Sequence, residues 1–176
     1  LPVQSGSDRI LAAMNRKYTA ADYLRKIDIL KKYIPDCAVT TDLIVGFPGE
    51  TDEDFRATLN LVREVGFSSA FTFVYSRREG TVAAKMPGQI PEEVSKERIM
   101  ELVALVNSLT REQSAKYVGR TCEIHCEGYD EKRGLFLGRD EYGRMGYFAC
   151  DKNVIGEFVT LAVKEANGVS LMGELV

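Results

Sequence analysis

Tryptophan is absent from this 176-residue chain, histidine occurs once, and cysteine occurs four times. With His125 as the single histidine, an H-E-x-x-H zinc site is excluded, and any Ser-His-Asp or Cys-His mechanism hangs on that one residue. Neither G-x-x-x-x-G-K-[ST] nor G-x-G-x-x-G occurs, so neither common phosphate-binding loop is present. No apolar run reaches the ~18 residues that a membrane-spanning helix needs. The opening Leu1-Pro2-Val3-Gln4-Ser5-Gly6 has no basic or apolar segment of a secretory signal. It also has no initiator Met, so the chain reads as beginning inside a longer protein.

Neither basic nor acidic residues dominate. There are 23 basic and 26 acidic residues, net −3. Residues 1–116 carry 16 of each, and residues 117–176 carry 7 basic and 10 acidic. A general polyanion-binding surface is therefore excluded, and nucleic-acid contact must come from a local patch. Cys37, Cys122, Cys126 and Cys150, without a secretory signal, fit reduced thiols in the cytoplasm better than a disulfide framework. The remaining profile, 45% hydrophobic and 28% charged, is that of a soluble globular protein of one domain, or one plus a small module.

Periodicity divides the chain near Lys116. Leu1–Gln4 is short and extended, and Ser5-Gly6-Ser7 breaks it. Thr19-x-x-Asp22 reads as a capping box opening a helix, with Tyr23, Ile27, Leu30 and Ile34 on one face and Pro35 stopping it. Residues 38–46 read as a buried strand, and Gly46-Phe47-Pro48-Gly49 as a turn. Thr51-x-x-Asp54 opens a second helix that buries Phe55, Leu59 and Val62 and ends at Gly66. Residues 69–75 form the next strand, residues 76–90 a loop, and Pro91 opens a long helix. This alternation predicts parallel strands with crossover helices, as part of a larger barrel or doubly wound sheet. Beyond Lys116 the period falls to two, and five short strands predict a small antiparallel, OB-like barrel.

In parallel α/β folds the carboxyl ends of the strands face the ligand. Three such ends carry polar or glycine-rich tips: Gln4-Ser5-Gly6-Ser7, Gly46 to Thr51, and Tyr75-Ser76-Arg77. The helix opening after Gly49 offers free N–H groups and the positive end of its dipole. Cys122 and Cys126 sit four apart on a strand, roughly 13 Å, too far for one compact cluster, and read as core thiols. His125 lies on the opposite, solvent-facing side.

Leu1-Pro2-Val3-Gln4-Ser5-Gly6-Ser7-Asp8, Met14-Asn15-Arg16-Lys17-Tyr18-Thr19, Thr41 through Thr51, and Phe71 through Thr81 resemble the radical S-adenosylmethionine (SAM) methylthiotransferases, specifically the MiaB-type tRNA enzymes. The resemblance covers the whole chain but only the C-terminal part of the family's architecture. It implies a mixed α/β fold: residues 1–116 as the last βα units of a partial TIM-like radical SAM barrel, and residues 117–176 as a TRAM domain, a small RNA-contacting β-barrel. In full length the family uses SAM and two 4Fe-4S clusters. It implies hydrogen abstraction by a 5′-deoxyadenosyl radical and addition of a methylthio group at C2 of an isopentenylated adenosine next to the anticodon. Two other readings stay open: the sister enzyme acting on threonylcarbamoyl-adenosine in tRNA, and a non-catalytic RNA-binding module. The sister family that modifies a ribosomal protein reads Gln-His where this chain has Gln4-Ser5.

The resemblance implies a cofactor rim made of Gln4, Ser5, Asp42, Ile44, Gly46, Phe47 and Tyr75. Arg16 and Arg77 are expected to contact a carboxylate or phosphate, since a guanidinium offers a bidentate fork. Arg120, Lys132, Arg133, Arg139 and Arg144 are expected to meet the tRNA anticodon stem-loop, with Tyr142, Tyr147 or Phe148 stacking on bases. The family's cluster-binding cysteines are missing from these residues, so no catalytic side chain and no metal ligand is assigned. The chain alone is expected to bind no cofactor tightly and to be inert. Its exposed sheet edge or apolar face is expected to favour self-association. No membrane contact is expected.

Overall fold

A computed structural model describes residues 1–35 and 37–176. The chain divides into two compact units, Leu1–Leu109 and Thr110–Val176.

The first unit is a small parallel sheet backed by helices. Ser7 caps α1 (Asp8–Ala13), its side chain accepting from the Ile10 amide. A complete Thr19/Asp22 capping box opens α2 (Ala20–Tyr33). Tyr23 and Ile27 are buried, but Ile34 lies beyond the helix and is exposed, because the backbone before Pro35 has already left the helical region. Strand β1 (Thr40–Val45) pairs in parallel with β2 (Ser69–Val74), Asp42 opposite Phe71 and Ile44 opposite Phe73. The Leu1–Gln4 segment lies on the other side of β1 as a single bridge, Gln4 to Leu43, not as a strand. The Gln4 amide donates to the Asp42 carbonyl and the Ile44 amide to the Gln4 carbonyl, each at 2.9 Å. Gln4 has φ 71°, which turns the chain away after that one pairing.

Helix α3 (Asp52–Val65) is capped by the Thr51/Asp54 box and ended by Gly66 in the left-handed region. It lays Phe55, Leu59 and Val62 into a core shared with Val3, Leu43, Val45 and Phe67. A four-residue helix, α4 (Val82–Lys85), stands inside the stretch expected to be loop. Helix α5 (Glu92–Ala115) follows, and its Leu102 and Val106 close the core. Phe71 and Phe73 of β2 are 67% and 51% exposed, since β2 pairs only with β1 among the described residues.

The second unit is a closed barrel in the order β3-β4-β5-β7-β6, with β3 (Thr121–Asp130), β4 (Leu135–Arg139), β5 (Met145–Phe148), β6 (Phe158–Asn167) and β7 (Ser170–Leu175). Its pairings are antiparallel except β5–β7, which is parallel and closes the ring; the expectation of an antiparallel barrel did not include this pair. Ile124, Cys126, Phe136, Phe148, Leu161, Val163 and Leu171 fill the interior. Cys126 is fully buried, Cys122 packs at the margin of the same core, and His125 faces out against Phe158. No helix of the described residues is long and apolar enough to cross a membrane.

Candidate functional site

A cavity of about 780 Å³ opens in the first unit, within the range that takes a small-molecule ligand. Six of the nine residues expected at the cofactor rim line it: Gln4, Arg16, Asp42, Ile44, Phe47 and Tyr75. Parallel register brings the ends of the Leu1–Gln4 segment, β1 and β2 to one side, as the alternation of strands and helices requires. The Phe47 and Tyr75 rings meet edge-on with centroids 5.2 Å apart.

The other three lie elsewhere. Ser5 is fully buried, and its hydroxyl shares a hydrogen bond with Thr58 at 3.2 Å and accepts from the Ser7 amide, so it joins the start of the chain to α3. Gly46 is buried behind the wall with φ 74°, and its amide donates to Glu50 Oε2 at 2.8 Å. Arg77 is exposed and misses the cavity, while Arg78 lines it. The reason lies in the turn after β2: Thr81 donates from its hydroxyl to the Arg78 carbonyl at 2.8 Å and caps α4, fixing residue 78 at the opening.

The N-terminus of α3 is not an open anion site. Thr51 and Asp54 cap each other, and Asp54 also accepts from Ser7 at 2.5 Å and pairs with Arg9. Burial alone would raise the Asp54 carboxyl. The hydrogen bonds from Arg9, Ser7 and Thr51 outweigh it and hold the group well below the usual carboxylate range.

Sequence reasoning missed Met14, Asn15, Phe73, Val82 and Met86 in the cavity lining. One signal is conformational: Gln4 and Asn15 are the non-glycine residues with positive φ among the described residues, and both line this cavity. Such strain concentrates at ligand sites.

On the barrel, the outer face of β4, β5 and β7 carries Leu137, Tyr147 and Met172 in one cross-strand row. Arg133 reaches from the β3–β4 turn to lie 4.5 Å above the Tyr147 ring. Lys132 and Arg120 are exposed; Arg139 is exposed but paired with Glu127 at 2.9 Å. Arg144 does not present its charge. It pairs with buried Asp140 at 2.6 Å and stacks on Tyr117 and Tyr142, with 13% of its side chain exposed. Phe148 is 1% exposed and stacks on Phe136 in the core, so it cannot meet a base. Phe148 faces the barrel interior at the end of β5, and Arg144, in the turn before β5, is held by Asp140.

Comparison with known proteins matches residues 1–62 to the radical SAM superfamily and residues 115–176 to the TRAM domain. The chain is 48% identical over 176 residues to the tRNA-2-methylthio-N(6)-dimethylallyladenosine synthase of Caldicellulosiruptor saccharolyticus, covering all of this chain and 37% of that protein. Proteins of the same name from Clostridium botulinum and Bacillus cereus are each 47% identical, over 99% and 100% of this chain and 39% and 35% of their own.

The chain is similar over its whole length to these synthases, and carries radical SAM and TRAM sequence.

It spans little more than a third of the length of these methylthiotransferases. The radical SAM match implies SAM and 4Fe-4S clusters in full-length enzymes. The cavity fits an adenine-bearing ligand: the Tyr75 hydroxyl is buried without a hydrogen-bond partner among the described residues, Gln4 offers a carboxamide, and Ile44 and Phe47 supply an apolar wall. A cluster does not fit the described residues. Among the described residues no group of three His, Cys, Asp or Glu side chains could share a metal. Burial pushes the Cys122 and Cys126 thiols up, away from the thiolate a metal needs.

Proposed function

We propose that this chain supplies one wall of a SAM site and the RNA-binding barrel of a tRNA-2-methylthio-N(6)-dimethylallyladenosine synthase working in the cytoplasm. The observation that carries this is the end-to-end identity of 44–48% to proteins of that name. When bound beside a reduced cluster, SAM supplies the hydrogen-abstracting and methyl-donating chemistry of a methylthio transfer.

The chain's own residues bind and orient. Ile44 and Phe47 pack on an adenine ring, Gln4 hydrogen-bonds its edge, and the Tyr75 hydroxyl meets a polar group of the ligand. Arg16, joined by Arg78 in place of Arg77, meets its carboxylate or a phosphate. Asp42 lines the same wall. Residues 1–116 serve this site, and residues 117–176 serve the RNA.

Arg133 over Tyr147, with Lys132 beside it in the sequence, is the centre of the RNA surface. Leu137 and Tyr147 lie on the second and third strands of the barrel, the face on which OB-like folds hold oligonucleotides, and Lys132 and Arg133 lie in the turn that leads into the second. A guanidinium tracks phosphate while the aromatic and apolar row takes an unstacked base of the anticodon stem-loop. Arg120 and Arg139 extend it.

Nucleoside mass spectrometry of tRNA from a strain lacking the gene tests the reading. The expected result is loss of the 2-methylthio group from isopentenylated adenosine, with the unmodified precursor accumulating. Loss of methylthio from threonylcarbamoyl-adenosine instead would transfer the assignment to the sister enzyme.

A further inference from the structure

We propose that Arg98 of α5 is a positioning residue for the cavity: acting through Glu50, it holds the Phe47 wall where an adenosyl ligand meets it. The ligand served, though not the geometry, rests on the SAM reading of the cavity.

Glu50 is the last residue of the turn that leaves β1, and none of its side chain is exposed. Its Oε2 accepts from the Gly46 amide at 2.8 Å and from Arg98 Nη1 at 2.9 Å. The same Nη1 reaches the Glu50 carbonyl at 3.2 Å, and Nη2 donates to Asp52 Oδ1 at 2.6 Å. One guanidinium from α5 therefore ties together the side chain of Glu50, its backbone and the head of α3. From Gly46 the chain passes to Phe47, which lines the cavity and carries the Tyr75 ring. Helix α5 also presses on Gly46 directly: a Cβ there would meet Ser95 Oγ at 2.4 Å.

Stability alone does not account for this pair. Two buried charges gain little over an apolar pair of equal volume. Here Glu50 Oε1 has no hydrogen-bond partner among the described residues, and burial pushes the carboxyl up against the pull of the Gly46 amide and Arg98. An apolar substitute would keep α5 on the turn but would remove the acceptor that fixes the Gly46 N–H. What the charges add is the position of the turn, and with it the aromatic wall.

The test compares the 176-residue chain with Arg98→Lys and Arg98→Met. Lysine keeps the charge but lacks the fork that serves Glu50 and Asp52 together. Urea unfolding reports the fold. The NMR shift of the Gly46 amide and the ring contacts between Phe47 and Tyr75 report the wall. Calorimetry with S-adenosylhomocysteine reports binding. Arg98→Lys is expected to unfold cooperatively, move the Gly46 amide upfield, weaken the ring contacts and lower S-adenosylhomocysteine affinity about tenfold or more. The amides of Asn15 and Arg16, which reach the cavity from the α1–α2 connection, should stay in place. If Arg98→Met does not fold, Arg98→Lys decides alone. A folded Arg98→Lys with the wild-type Gly46 amide and ring contacts would overturn the proposal and leave Arg98 as a fold-stabilising pair. If the wild-type chain takes up no S-adenosylhomocysteine while the ring contacts still respond, the positioning role stands and the adenosyl reading falls.

Discussion

Phe47 meets Tyr75 edge to face, at 5.2 Å and 71°, and this pair joins the exits of β1 and β2 where backbone pairing has ended. The last backbone link, from the Tyr75 amide to the Val45 carbonyl at 2.8 Å, stands just before the rings. The cavity wall is thus an aromatic continuation of a two-stranded sheet, and its chemistry can be altered without touching the ladder.

Tyr75→Phe removes a buried hydroxyl that no group among the described residues satisfies. Leaving such a group unpaired costs about 1–3 kcal/mol, so the variant should gain roughly 1 kcal/mol in urea unfolding. Added S-adenosylhomocysteine should stabilise the wild type more than the variant. A loss of stability in the unliganded variant would mean that the hydroxyl already has a partner.

Asp54 predicts a pH signature. Its folded carboxyl titrates below the unfolded one, so its contribution is full above the unfolded value near 4 and is lost as pH falls through the folded value. Asp54→Asn should cost about 2 kcal/mol near neutral pH, in the range for hydrogen bonds to a charged group. The gap between wild type and variant should narrow as pH drops below about 4. An equal gap at pH 3 and pH 7 would show that the charge contributes nothing.

Two arginines of the barrel should separate in their effects. Arg133→Gln should leave thermal unfolding unchanged and weaken binding of an anticodon stem-loop RNA, with a slope against log salt shallower by about one. Arg144→Ala should destabilise the barrel by about 3 kcal/mol, because buried Asp140 loses its partner. Fluorescence anisotropy and urea unfolding read the two effects. Equal RNA affinity for Arg133→Gln and wild type would remove the Tyr147 face from consideration.

Anaerobic incubation of the 176-residue chain with iron, sulfide and SAM should give no stable 4Fe-4S absorbance and no 5′-deoxyadenosine. Formation of both would show that these cysteines ligate a cluster.

Phe71 and Phe73, exposed on β2, should bring copies of the chain together as concentration rises. Sedimentation velocity should show this association, and Phe71→Glu should suppress it. A chain that stays monomeric at hundreds of micromolar would count against the edge.

The sequence made the helices and strands legible where local chemistry decides them. Both capping boxes, the left-handed Gly66 and the five barrel strands stand where the residue pattern places them. What escaped was decided by distant partners. Nothing local to Ser5 announces that Thr58 will take its hydroxyl. Nothing beside Arg77 and Arg78 says which of them the Thr81 cap will aim at the cavity. Arg144 read as a free cation because Asp140 and the two tyrosines close on it only after the strands pair.

Gly138 and Gly173 lie opposite Cys126 and Val163, beside the two places where the barrel register slips. A Cβ at either would come within 2.0 Å of a neighbouring strand's carbonyl oxygen. The ring therefore has two corners that admit no side chain, while the outward positions between them carry no such constraint. A randomised library of this barrel should return glycine at both corners in every folded clone and almost anything at Leu137, Tyr147 and Met172. The surface proposed to meet RNA is free to be rewritten on a frame that is not.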